Sequence, residues 1–182
     1  MNTTQPFGLN MAFNSGACTA AGAAATLTVV TAVVATVKGV FATSVSAEAK
    51  TLAAVTTDGV PSSDSTGYAA TTFNTLYGGA STSADAPDNN SGQAAILVHC
   101  TTAGGVTKSI QGPSVQLDAS GNLQNALQFP QIPDTLTPYC YQVLKAGLTA
   151  GDIVPGTSNW NATGFTSTVV NVAVLPSKAY FA

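Results

Sequence analysis

The chain contains no arginine, one glutamate and one histidine; its charged residues are five lysines and eight carboxylates in 182 positions. Charged side chains make up 7% of the sequence, against about a quarter in an ordinary soluble domain. General acids and bases are drawn mainly from His, Glu, Asp and Lys. Phosphate clamps and nucleic-acid grooves need clustered Arg and Lys. A formal net charge of −3 with so few cations leaves little to hold a duplex or an anionic membrane. These absences favour a protein that works by shape and contact, with a structural or binding role and no cofactor, over one that turns over a substrate.

Cysteine is also scarce. Cys18, Cys100 and Cys140 are the three thiols, and an odd count argues against a disulfide framework. Buried, reduced thiols are the simpler reading. A Cys100–Cys140 bridge stays open if the two strands meet. A metal site from Cys18, His99, Cys100 and Cys140 is formally available, but it lacks the paired short spacings of zinc sites.

Residues 1–37 carry no charged side chain at all. A secretory leader would need a basic start, which is missing. Thr26, Thr28, Thr31 and Thr36 interrupt the aliphatic run and suit a strand better than lipid. The segment reads as strand, in a soluble protein without a membrane span.

What is present is β-forming. Hydrophobic residues reach 45%, many of them Ala and Val, which suits a thin core between two packed sheets. In residues 1–22, Phe7, Leu9, Met11 and Phe13 alternate with Gly8, Asn10 and Ala12, an extended segment with one apolar edge. It holds too many loop residues to anchor a core strand and reads as an N-terminal arm. A body over 23–176 follows. Ala25–Thr31 is a first strand, and the odd positions from Val33 to Val45 form one buried face. Lys50–Thr57 is a third strand. Residues 57–93 are a long loop insertion, with one strand near Ala70–Tyr77. Ala94–Thr102 is the clearest central strand, with Ile96, Val98 and Cys100 on one face and Leu97 and His99 on the other. Val106–Gln111 returns as its hairpin partner. After the turn Asp118–Asn122, Pro130, Pro133 and Pro138 punctuate an extended connector. Tyr139–Ala146 and Thr163–Leu175 are the last long strands, and 177–182 form a C-terminal tail. About eight or nine strands and no convincing amphipathic helix predict an all-β fold: a two-sheet antiparallel sandwich, jelly-roll-like, or a barrel, with an extended N-terminal arm.

Chemical signatures are weak. His99, mid-strand beside Leu97, lacks a visible nucleophile and orienting acid and reads as a sheet-face histidine with a hydrogen bond. The nearest string to a nucleophile elbow, Gly156–Trp160, lacks the second glycine. A glycosidase needs two facing carboxylates, and Glu48 is the sole Glu. Asp85, Asp88 and Asn90 are spaced as calcium ligands could be but miss the EF-hand pattern. Asn2, Asn89 and Asn161 head glycosylation sequons, as chance allows in a Thr- and Asn-rich chain. Tyr68, Phe73, Tyr77 and Trp160 form a candidate recognition group: aromatics beside amides suit a sugar, and packing of the same rings is the plainer alternative.

Val115–Asn122, followed by Phe129–Asp134, then Tyr141–Gly147 and Ser158–Gly164, together with the Thr/Ala/Val-rich opening strands, resemble small structural proteins of tailed-bacteriophage virions. The resemblance implies a β-rich, oligomeric, non-enzymatic capsid decoration (cement) protein. It would sit on the outer capsid surface after assembly in the host cytoplasm. The partners implied are the major capsid protein and further copies of the chain, a trimer being the expected state. Phe7, Leu9, Met11 and Phe13 would be the anchors of the arm, with Tyr180 and Phe181 as a second contact. The alternative is a receptor- or glycan-binding module of a fibre or surface adhesin.

Overall fold

The computed structural model describes residues 10–20, 26–43, 48–51, 73–87, 91–155 and 158–171. Among these there is no helix. The strands in chain order are β1 (Met11–Ala12), β2 (Thr19–Ala20), β3 (Thr26–Val29), β4 (Val34–Val37), β5 (Val40–Thr43), β6 (Glu48–Thr51), β7 (Gln93–Thr101), β8 (Thr107–Gln111), β9 (Val115–Gln116), β10 (Thr137–Ala146) and β11 (Phe165–Asn171). All pairings are antiparallel and make three sheets: β1-β4-β5, β2-β3-β6, and a central sheet β11-β10-β7-β8 in which β9 also pairs with β7. The all-β expectation holds.

β7 sits at the centre because both of its faces are buried, one wholly apolar and the other mixing Ala95 and Leu97 with Gln93, His99 and Thr101. All nine of its residues are buried, as expected for a near-continuous aliphatic run covered on two sides. Ala95 and Leu97 enter the main core, with Leu27, Val29, Val33 and Ala35 from the smaller sheets. Ile96, Val98 and Cys100 enter a second cluster with Ile110 and Leu136. The connector between β9 and β10 covers this second face. Leu127, Phe129 and Ile132 pack onto it, and Phe129 meets Tyr141 edge-on with ring centroids 5.0 Å apart. Burying a side chain such as Leu97 contributes about 2 kcal/mol.

The connector's prolines behave as their chemistry requires, with one adjustment. β10 begins at Thr137, two residues before the expected start, and Pro138 lies where the β10–β7 register shifts. A bulge tolerates a residue with no N–H to donate.

A second difference lies at Lys38-Gly39. Over the described part of Val33–Val45, residues 33–43, the odd positions do not share one buried face, because β4 and β5 form a hairpin. Val37 pairs with Val40 across a two-residue loop, and Lys38 and Gly39 have φ of 50° and 76°, the type I′ pattern whose twist matches the flanking strands. The register then sets Phe41 opposite Thr36 and Ala42 opposite Ala35. Odd positions after the turn therefore join the face of even positions before it, and Phe41 is 66% exposed.

Of the expected strand near Ala70–Tyr77, the described part contributes one bridge, Leu76 to Ile153. Beyond it, Gly78, Gly79 and Ala80 donate to the carbonyls of Gly151, Gly147 and Ala150. The two chains run so close here that a Cβ on Gly78 would fall on Ala150. Val172 and Val174, at the far end of the expected last strand, lie outside the described residues.

Candidate functional site

The central sheet carries a file of buried polar side chains on its main-core face. Antiparallel register sets Ser109 of β8 opposite His99 of β7, and the His99 Nδ1 lies 2.8 Å from the Ser109 hydroxyl. On the other side, His99 Nε2 lies 2.8 Å from Gln142 Oε1 on β10, and Gln142 Nε2 donates to Ser167 Oγ on β11 at 2.8 Å. Donor and acceptor chemistry fixes one consistent direction. Gln142 offers its oxygen to histidine, so His99 carries its proton on Nε2, and Ser109 donates to Nδ1. Four strands are thus cross-linked by three bonds.

Ser109, His99 and Gln142 follow the order of a nucleophile, a base and an orienting group. The environment gives them a different character. All three are fully buried. Burial lowers the His99 pKa to about 4, with the Gln142 hydrogen bond acting in the opposite direction. Gln142 stands where a triad would have a carboxylate, so a charged imidazolium would have a hydrogen bond there but no counter-charge. The arrangement stores polar satisfaction inside a core.

The thiols are buried too. Cys100 and Cys140 sit on neighbouring strands, yet Cys100 enters the second cluster and Cys140 the main core. They project from opposite faces of the sheet, which answers the open question of a bridge between them. His99 and Cys100, adjacent on one strand, diverge in the same way, so they cannot share an ion. Among the described residues no three of His, Cys, Asp and Glu come together. Asp118 is a turn residue: Oδ1 accepts from the backbone of Ser120 and Asn122, each at 2.8 Å. The bond from Asn122 leads in lowering its pKa, helped by those from Ser120 and Gly121.

The surface offers a different kind of site. The outward face of β1-β4-β5 carries Met11, Phe13, Val34, Thr36 and Phe41, while Ala12 and Ala35 point inward and are buried. Phe13 and Phe41 stack with centroids 5.7 Å apart and planes at 19°, and they are 51% and 66% exposed. Val40, opposite Val37 at the hairpin end, is also exposed but belongs to the other face. An aromatic pair left half in water on a sheet face is a candidate contact surface.

The proposed anchors are thus divided. Met11 and Phe13 are on this face; Phe7, Leu9, Tyr180 and Phe181 lie outside the described residues. Residues 10–20 are knitted to the body through β1, β2 and three asparagines. Asn10 donates to the carbonyls of Asp134 and Leu136 and accepts from Lys38 N–H. Asn14 bridges Ala32 and Val34, and Asn171 holds Cys18. Sequence reasoning missed these three; their signal was amide side chains beside short extended segments in a chain with few charges.

The recognition group is not brought together on the surface. Phe73 and Trp160 are 4% and 5% exposed and belong to the main core, Trp160 stacking on Phe165 at 5.9 Å. Tyr77 is half-buried, and Tyr68 lies outside the described residues.

No protein-family model matches the chain, and no curated protein or solved structure does. The functional reading rests on the residues themselves.

Proposed function

We propose that this chain is a non-enzymatic virion structural protein that decorates and stabilises the outer capsid surface. In this reading the sheets fold as a two-sheet, jelly-roll-like sandwich. The N-terminal segment supplies an arm, and the chain acts as a homo-oligomer, a trimer, bound to the major capsid protein. The observation that carries the reading is the exposed Phe13–Phe41 stack on the outward face of β1-β4-β5, with Phe13 three residues after Asn10, the first described residue. The charge-poor composition supports it, since covering neutral Thr, Ser and Asn side chains costs less desolvation than covering charged ones. Each copy contributes a modest contact, and the symmetry of a shell multiplies it.

Removing residues 2–9 tests the arm, because it spares β1 and the asparagine contacts. The truncated chain should fold and fail to bind shells. Unchanged binding would overturn the arm model. A glycan- or receptor-binding role would need free aromatic faces, and two of its four rings, Phe73 and Trp160, are packed in the core.

A further inference from the structure

Two of the three thiols, Cys18 and Cys140, lie in the main core. Asn171 stands opposite Cys140 in the β10–β11 ladder. Its side-chain amide accepts from the Cys18 N–H at 2.7 Å and donates to the Cys18 carbonyl at 3.0 Å. Because Cys140 and Asn171 are paired across the ladder, this brings the Cys18 backbone to the Cys140 position, and both side chains enter the main core. The Cys18 thiol donates to the Ser15 carbonyl at 3.3 Å. Cys100 faces the opposite side of the sheet.

We propose that Cys18 and Cys140 are a redox-closable pair, forming an intramolecular disulfide that fastens residues 10–20 to β10 and leaves Cys100 a free thiol. The oxidant class is a small disulfide such as oxidised glutathione. One cysteine, as thiolate, attacks it and expels one glutathione thiolate; the second cysteine, as thiolate, attacks the resulting mixed disulfide and expels the other. The two cysteines lose two protons and two electrons, and one oxidised glutathione becomes two reduced ones.

The folded state restrains this chemistry. Both sulfurs are buried, and burial raises the Cys140 pKa, with the Cys18 side chain adding to the rise. Exchange therefore waits for residues 10–20 to lift from the body. Its ladders to β4 and β3 are two residues long each, so opening breaks little strand pairing beyond the asparagine contacts. Once closed, the bridge spans more than a hundred residues of chain, the kind of link that most restricts the unfolded ensemble.

The full chain is equilibrated with graded ratios of oxidised to reduced glutathione, quenched with N-ethylmaleimide and mapped by non-reducing peptide mass spectrometry. The expected product links the Cys18 and Cys140 peptides and leaves Cys100 alkylated. Proteolysis within residues 10–20 should slow about tenfold or more on oxidation, as local opening is suppressed. Cys100→Ser should behave as the native chain, whereas Cys18→Ser and Cys140→Ser should lose both effects. Three alkylated thiols at every ratio, or a bridge involving Cys100, would overturn the proposal, and the native chain's map decides this even if a serine variant does not fold.

Discussion

Asn171 closes both hydrogen bonds of its side-chain amide on the backbone of Cys18, 153 positions earlier in the chain. The amide imitates one rung of a β-ladder where β11 and the start of β2 have no ladder of their own. Asn10 and Asn14 do similar work on the opposite side of the N-terminal segment. In a chain with 7% charged residues, neutral amides take the cross-linking role.

Asn171→Ala should destabilise the fold by about 2 kcal/mol, because it leaves a peptide N–H and C=O of a part-buried segment without partners. Urea unfolding measures the loss. Amide exchange at Cys18 should accelerate by more than that at Leu97, since the defect opens locally. Equal acceleration at both would show that Asn171 does not hold the segment.

The His99 file makes stability sensitive to acid. In the unfolded chain the imidazole takes up its proton near 6.5, and in the folded protein only near 4. Between those values the unfolded state binds more protons. His99's contribution is therefore fully present above about pH 6.5 and is lost as pH falls toward 4, about 3 kcal/mol in total. Chemical denaturation at pH 7, 5.5 and 4 should show this slope. His99→Gln should be less stable at pH 7 and should lack that component.

The Lys38-Gly39 loop predicts opposite effects from two substitutions. Gly39→Val places a β-branched side chain at φ 76° and should cost about 2 kcal/mol. Lys38→Asn creates the Asn-Gly pair favoured in such loops and should stabilise by about 0.5 kcal/mol. The Lys38 backbone N–H that donates to Asn10 is kept. Thermal unfolding of the two variants checks both signs.

This loop also shows where sequence reading stops. β7 was legible because a buried central strand is a contiguous aliphatic run, and the opposite facing of Val98 and His99 followed from period two alone. The same rule failed across Val33–Val45. A two-residue turn reflects the pattern, and Lys-Gly lacks the Asn or Asp that announces it. Trp160 could be read as platform or core, since composition near a ring does not say which way it faces. The Asn171–Cys18 contact and the Cys18–Cys140 approach depend on how separate segments dock, which no local pattern encodes.

The Phe13–Phe41 face separates stability from association. Phe41→Ser should change folding stability by about 1 kcal/mol or less, because the ring is largely in water and loses mainly its stacking on Phe13. The same substitution should weaken association with shells at least tenfold in co-sedimentation. Full retention of binding would remove this face from the interface.

The most direct measurement is the abundance of this chain in gradient-purified virus particles, quantified by mass spectrometry against the major shell protein. A decoration role predicts a fixed, near-stoichiometric ratio to the shell subunit. Absence of the chain from purified particles would contradict the account.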